Sequence, residues 1–517
     1  MFIKKVYDKC AEFLNNPQKV FYSALAIGGI CTVFMTLFLN NIYADTANVY
    51  AYFAREIGKG NWSDGIVARV PMLNIVLGGL LAMTGMEAVS ALTLVAGIFY
   101  CAACFPLRRF MERYVTPIQA AWGCVLYITA PKIIRFGCSP LLESARIFFL
   151  ISAILFFFET MERPSWKKGI LFGISCGVLM VARGEGFPIA LALLAGFLPW
   201  TLIFCRNGKF KKQAVSWALG IVFAALVSAP FCAMNYCKAG YFVPDVRSAE
   251  ISRSILGMDS SALSDNKTEK AVTEKTPAML AVEKLQAEEN ARAKESKVVI
   301  FISDLLRGGY ELYWLLAVLG GVVFIRQKKM SWDHLLICGV ASMHFVMYLM
   351  IVSSYRYYLF TIPLFMMFTV TGAAAVRRKA VEYLPAKLLP IAVLLCGVVL
   401  VFHIANGVER AFSKRGREQQ KVGAYLEEYG KKHFPGRRLR ILERDVVEVV
   451  YWSKAFNVNG YDQAPVDIAT YSDFDLAVCG PRTRGVFDAR EDMELIPDTP
   501  YQKRVLIYRF KKKPADK

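Results

Sequence analysis

Ionisable residues stand where long apolar runs end, and their types are those needed to activate a hydroxyl and to hold a phosphate at a membrane surface. Asp45 lies in NNIYADTANVYAYFAREIGKG (40–60), directly behind the apolar run 21–39. An Asp ahead of a helical run caps that helix; an Asp beside an acceptor hydroxyl takes its proton as general base. The two roles are compatible. In VLMVARGEGFP (178–188), Arg183 and Glu185 stand two residues apart between glycines. Glycine there permits tight turns and close ligand approach, and an arginine so held suits a phosphate; a lone arginine at the end of a span also snorkels to the interface. Glu143 opens an apolar run after Ser139-Pro140 in PKIIRFGCSPLLESARIF (131–148), as a first-turn acid or as a ligand-binding one, with Arg135 and Arg146 as candidate partners. Asn235 and Arg247 follow another run in APFCAMNYCKAGYFVPDVRS (229–248), and Tyr355 and Arg356 lie in SSYRYYLFTIPLF (353–365). An interfacial aromatic belt accounts for the tyrosines as well as a substrate site does.

The elements that must position these residues are membrane helices. Of the 517 residues, 55% are hydrophobic, and they gather in blocks of about 16–20, the length that crosses a hydrocarbon core. The runs 21–39, 88–107, 117–130, 143–158, 169–181, 187–204, 213–229, 311–325, 334–352, 357–376 and 388–404 give about eleven spans. The excess of 62 Lys and Arg over 42 Asp and Glu is no nucleic-acid footprint, because the cations gather at alternate loops: Lys4/Lys5/Lys9/Lys19, Arg108/Arg109/Arg113, Arg163/Lys167/Lys168, Arg206/Lys209/Lys211/Lys212, Arg326/Lys328/Lys329 and Arg377/Arg378/Lys379. This is the positive-inside pattern, and it places the N-terminus in the cytoplasm. The same rule decides PMLNIVLGGLLAMTG (71–85). Counted as a span, it would invert every later loop, so it reads as a re-entrant or interfacial helix packed on protein. The first outer loop then runs from about 40 to 87, and Asp45, Arg69, Glu143, Arg183, Glu185, Arg247 and Arg356 all fall on the outer face.

The fold class expected is mostly α: a polytopic membrane protein with a large first outer loop and a small soluble α/β domain at the C-terminus. The regions are an N-terminal transmembrane module (1–232), a long polar outer segment (233–310), further transmembrane helices (311–405) and an extracytoplasmic domain (406–517). The outer segment includes TPAMLAVEKLQAEENARAKES, a helix-forming stretch, and long loops of this kind are functional or disordered. In the tail, REQQKVGAYLEEYGKKH reads as a helix, and RLRILER, DFDLAVCG and RVLIYRFKKK read as strands. No glycine-rich phosphate loop follows a strand. The 13 cysteines form no CxxC pair or Cys/His group, which argues against a structural zinc site or a disulfide scaffold. The first span has no signal cleavage site and reads as an anchor. NWS (61–63) and NKT (266–268) fit the N-glycosylation triplet, a pattern that chance often produces.

The order of these motifs resembles the GT-C glycosyltransferases, in particular the bacterial group similar to protein O-mannosyltransferases and the lipid A aminoarabinose transferase (glycosyltransferase family 39-like). The resemblance rests on ADTANVYAYFAREIGKG after the first span, the proline-led RVPMLNIVLGGLLAMTG, YITAPKIIRFGCSPLLES, the glycine-rich GILFGISCGVLMVARGEG, NYCKAGYFVPDVR and YRYYLFTIPLF, and it covers about 20–375. It implies a polyprenyl-phosphate-sugar donor, inverting transfer at the outer face of a bacterial inner membrane, and Asp45 as the catalytic acid residue of the first outer loop. Arg69 stands near the family's basic position, separated by Val70 from the proline that opens the interfacial helix, and Glu143 occupies the second acidic position, where the family commonly has Asp.

Taken together, the residues describe an enzyme that moves a sugar from a lipid-phosphate carrier to an envelope glycan, a lipid or a protein hydroxyl. Asp45 and Glu143 are the catalytic candidates, Arg69, Arg183, Arg247 and Arg356 the phosphate ligands, and Glu185, Tyr355 and Asn235 the remaining substrate contacts. The helix at 46–58 and the segment 71–85 would wall the route of the lipid substrate, 245–310 would serve as a lid or acceptor element, and the tail would select the acceptor or brace the loops. No metal cofactor is required, although the acids could recruit a divalent cation. The competing reading is a transporter or lipid flippase, which calls for ionisable residues at mid-membrane and repeated halves; the runs are nearly free of charge and no repeat is evident.

Overall fold

The computed structural model describes residues 12–43, 46–62, 73–182, 186–204, 210–239, 242, 311–350, 359–383, 385, 388–436, 439–444, 447–454, 456–457, 474–497, 499 and 504–511. The chain is mostly helical, and every apolar run named above is helical over most of its described residues. Five helical stretches among the described residues are long and apolar enough to cross a membrane: Pro17–Phe38, Ala88–Met111, Glu143–Glu162, Gly186–Ile203 and Phe210–Cys237. Others are shorter, such as Pro117–Thr129 with 13 residues.

The chain divides into two compact units. One comprises Met1–Leu37, Ala54–Ser260 and Lys297–Glu409; the other comprises Phe38–Phe53, Ser261–Ser296 and Arg410–Lys517. The first is the membrane unit. After α1 (Pro17–Phe38), the chain enters the second unit, where a π-helical turn (Thr46–Tyr50) runs into the short helix α2 (Ala51–Gly58), whose later residues from Ala54 belong to the first. Helix α3 (Leu73–Ala82) is the doubtful segment of the sequence. Its 10 described residues reach only ~15 Å at 1.5 Å per residue, half of a ~30 Å hydrocarbon core. Glycines hold it against its neighbours. A Cβ on Gly79 would stand 2.6 Å from Ile57 of α2, and one on Gly78 2.5 Å from Leu92 of α4 (Ala88–Ala102). Helix α4 starts where Glu87 accepts the Val89 and Ser90 amides at 2.7 and 3.2 Å.

Helices α5 (Cys104–Met111), α6 (Pro117–Thr129), α7 (Pro131–Gly137) and α8 (Glu143–Glu162) follow. Proline at the first position of α6 and of α7 fits there because the missing N–H has no helical partner in the first turn. Helices α9 (Trp166–Ala182), α10 (Gly186–Phe204) and α11 (Phe210–Ala239) form the next group. On α9, Gly169 and Gly173 lie so close to the carbonyl oxygens of Ser216 and Gly220 on α11 that a Cβ at either would overlap them; one on Gly177 would stand 2.8 Å from the Ala224 oxygen. Both series advance by four residues, so the two helices run parallel with small side chains in register, a close-packing pattern of membrane helices. This accounts for the glycine spacing in GILFGISCGVLM. Helices α12 (Glu311–Arg326), α13 (Trp332–Met350), α14 (Thr361–Tyr383) and α15 (Leu389–Val408) complete the unit. Gly320 of α12 and Gly372 of α14 make a second such contact, each against the other helix's backbone.

At one end of the unit, the cations of two loops meet acids near the C-terminal end of α8. Arg109 grips Glu159 through two bonds of 2.5 and 2.9 Å, and Lys168 reaches the same carboxylate at 3.7 Å. Arg113 pairs with Glu162 and, at 3.4 Å, with Asp333 at the start of α13; the Tyr114 hydroxyl donates to the same Asp333 at 3.3 Å. Burial pushes the Tyr114 hydroxyl well above its ordinary range, so it remains a donor. An acid near a helix C-terminus is unfavourable against the macrodipole, and here the cations offset it. Replacing Glu159 with Gln is expected to cost about 1.5–3 kcal/mol, the range for hydrogen bonds to charged groups, read as a lower unfolding temperature of the purified protein.

The second unit contains α16 (Lys414–His433), capped by Ser413, whose hydroxyl accepts the Gly416 amide at 3.4 Å. A sheet of β1 (Arg440–Arg444), β2 (Phe456–Asn457), β3 (Leu476–Cys479), β4 (Met493–Leu495) and β5 (Leu506–Phe510) has the order β2-β1-β3-β5-β4. Its first three strands are parallel, while β5 is antiparallel to β3 and β4. Side chains alternate across the sheet as period two requires. Ile441, Leu476, Val478 and Ile507 face Val422 and Leu426 of α16 together with Val449 and Val450 of α17 (Val447–Trp452). Leu442, Ala477, Cys479, Leu506 and Tyr508 face Phe487 of α18 (Arg484–Asp488).

Candidate active site

Two of the site residues expected from the sequence are described, Glu143 and Asn235. Asp45, Arg69, Arg183, Glu185, Arg247, Tyr355 and Arg356 lie outside the described residues.

Glu143 is the first residue of α8 and 5% exposed. Its Oε2 accepts the Leu142 amide at 3.0 Å, so the acid serves its own helix start, where the positive end of the dipole favours negative charge. One turn on, Arg146 is 2% exposed, with its guanidinium 4.2 Å above the Phe360 ring. Phe360 immediately precedes α14 and follows Arg356 by four residues. A cation over an aromatic face inside a membrane unit combines electrostatic attraction with packing. Arg135 does not join this pair as the sequence suggested. It binds Glu409, beyond the end of α15, at 2.8 Å, because α7 packs along α15 and Gly407 leaves room for Ile134 there.

Helix α3 is tied to the same place. Asn74 Nδ2 donates to the Leu141 carbonyl at 2.9 Å, two residues before Glu143. Asn74 is 1% exposed, and its Oδ1 is buried without a hydrogen-bond partner. A buried, unpartnered acceptor is costly unless a donor arrives, and a hydroxyl of a bound molecule would supply one. This short helix thus ties down the connection delivering Glu143. The signal for this was a lone asparagine inside LNIVLGG, and its weight was missed. The inward turn of Arg146 was missed too, for the sequence offered it only as a partner to Glu143.

The parallel register of α9 and α11 brings their C-terminal ends to one side. Helix α9 ends at Ala182, one residue before Arg183, and α11 carries Asn235, 3% exposed, near its own end. Helix α10 begins at Gly186, where a Cβ would overlap the Leu179 carbonyl; this explains the glycine there.

Cys138 and Cys479 are both buried. Among the described residues, no three His, Cys, Asp or Glu are grouped so as to hold a metal ion. What the described residues offer is a buried carboxylate, a buried guanidinium one turn later and a buried amide oxygen close by, polar groups gathered within an apolar body.

Comparison with known proteins places this geometry in context. No protein-family model matches the chain. A lipid A galacturonosyltransferase of Rhizobium johnstonii, RgtD, is 23% identical over 177 residues, which are 34% of this chain and 37% of that protein; the match thus spans little more than a third of the curated relative. The crystal structure of ArnT from Cupriavidus metallidurans bound to undecaprenyl phosphate matches with a TM-score of 0.58 at 12% identity, over 94% of this chain and 97% of that one. The oligosaccharyltransferase AglB of Archaeoglobus fulgidus, in complex with an inhibitory peptide and a dolichol-phosphate, matches with a TM-score of 0.50 at 11% identity, over 96% of this chain and 75% of that one. At such identities the likeness establishes the fold.

Proposed function

We propose that this chain, which has the GT-C fold, is an integral-membrane glycosyltransferase that moves a sugar from a polyprenyl-phosphate carrier to an acceptor on the outer face of the membrane. One observation carries the reading: the fold likeness to a structure holding undecaprenyl phosphate runs over 94% of the chain, rather than over a single helical hairpin. The similar proteins support it, since one is a lipid A galacturonosyltransferase and another was solved in complex with a dolichol-phosphate. About eleven spans, a cytoplasmic N-terminus and an extracytoplasmic C-terminal domain in a bacterial inner membrane complete the proposal.

The chemistry asked of the protein is modest, because a phosphate is already a good leaving group. The acceptor hydroxyl attacks the anomeric carbon and the carbon–oxygen bond to phosphate breaks. Polyprenyl phosphate departs and the configuration at carbon inverts. Asp45 orients the acceptor and takes its proton. Arg69, Arg183, Arg247 and Arg356 stabilise the charge that grows on the leaving phosphate, an effect stronger at a low-dielectric boundary than in water. Glu143 and Glu185, with Tyr355 and Asn235, contact the sugar or the acceptor. A divalent cation recruited by the acids is compatible with this scheme.

The test uses the native chain in lipid nanodiscs with polyprenyl-phosphate sugars and a membrane extract as acceptor, following free polyprenyl phosphate by mass spectrometry. Acceptor-dependent release is expected. Carrier that stays intact while the reconstituted protein moves it across vesicle bilayers would favour the flippase instead.

A further inference from the structure

The stretch Phe38–Phe53 and the C-terminal residues Arg410–Lys517 belong to one compact unit, held by contacts on both sides of position 45. On the near side, Asn41 Nδ2 donates to Ser413 Oγ at 3.1 Å, the same hydroxyl that caps α16. Gly416, in the first turn of α16, lies against the Asn40 backbone; a Cβ there would stand 2.5 Å from the Asn40 carbonyl oxygen and 2.6 Å from its Oδ1. Only a residue without a side chain lets the helix approach so closely. On the far side, the turn Thr46–Tyr50 packs on α17, with Thr46 and Ala47 buried. The Ala47 amide donates to the Tyr43 carbonyl at 3.0 Å and ties the two sides together. Helix α17 is itself fixed. Val449 and Val450 sit in the sheet core, and Gly423 of α16 leaves room for Trp452.

We infer that the C-terminal domain is a positioning element for the first outer loop. Through Ser413 and Gly416, α16 holds the segment that carries Asp45, and this docking sets the rate of transfer rather than the affinity for the lipid donor. The inference rests on the reading of Asp45 as base. It assigns a role to a domain that selection of the acceptor would otherwise explain. Ser413 and Gly416 act through the loop, so they are positioning residues.

The experiment uses the full-length chain in nanodiscs with the donor and acceptor that the native protein turns over. Gly416→Val is expected to lower kcat about 10- to 100-fold, the scale of an ångström-sized misplacement, with KM for the polyprenyl-phosphate sugar unchanged. Asn41→Ala removes the tie to Ser413 and is expected to lower kcat less, in the same sense; it decides the matter if Gly416→Val does not fold. A chain carrying Asn41→Cys and Ser413→Cys is expected to turn over slowly when reduced, to form a disulfide under mild oxidation and regain turnover, and to lose that cross-link when Gly416→Val is added. Loss of the cross-link with kcat intact would overturn the inference, as would a rise in acceptor KM with kcat intact. Failure of the base assignment is distinguishable. If Asp45→Asn turns over normally while Gly416→Val loses kcat, the docked loop still governs the rate through another residue.

Discussion

Asp45→Asn is expected to lower the transfer rate by about 10²- to 10⁴-fold, the usual cost of removing a general base, while donor binding and the unfolding temperature stay as in the native chain. Asparagine is chosen because it caps a helix about as well as aspartate, so a purely structural Asp45 would tolerate the change. The neighbourhood supports that design. The Asn41–Ser413 bond at 3.1 Å and the Ala47–Tyr43 bond at 3.0 Å need no carboxylate at position 45. The expected loss converts to about 2.7–5.5 kcal/mol in the barrier, far beyond a cap's worth. Turnover measured at saturating donor and acceptor checks it. A native rate in the variant would leave Asp45 as a cap and move the search to Glu143 and Glu185.

Gly173→Val is expected to have the largest effect on stability, about 3 kcal/mol or more, at the upper end of the cost of overpacking. A Cβ on Gly173 meets the carbonyl oxygen of Gly220, a backbone atom that cannot rotate aside, and the same contact recurs one turn away at Gly169 and Gly177. Adding an isopropyl group there must push α9 from α11 along the whole seam. Gly196→Ala supplies the control, since nothing lies within 4 Å of a Cβ there and alanine is the better helix former by ~1 kcal/mol. Thermal unfolding in detergent should separate the two: a large drop for Gly173→Val and none for Gly196→Ala. Because α9 ends one residue before Arg183, any folded fraction of the variant should also bind the donor phosphate less tightly.

Much of the fold was legible because membrane insertion and period two leave local marks. Run length and hydropathy located α1, α8 and α11. Alternation in RLRILER and RVLIYRF marked β1 and β5. The two-residue β2 and three-residue β4 are too short to show a period, as are the six-residue α17 and five-residue α18. Of the site, the sequence could read only residue types at the ends of runs. Arg146 reaches Phe360 and Arg135 reaches Glu409 across 274 positions; pairings at such separations depend on how the helices pack and leave no trace in spacing. The docking of Asn41 on Ser413, 372 positions apart, is of the same kind. It ties the loop holding the proposed base to a domain that composition alone would set aside as soluble appendage.

The central claim is that the sugar arrives on a lipid phosphate and leaves inverted. The most direct measurement gives the native chain one labelled sugar in two forms, linked to polyprenyl phosphate and linked to a nucleotide, and reads the product's anomeric configuration by NMR. Product from the lipid-linked donor alone, with configuration opposite to the donor's, is the predicted result. Transfer from the nucleotide-linked sugar without a lipid carrier, or retention of configuration, would contradict it.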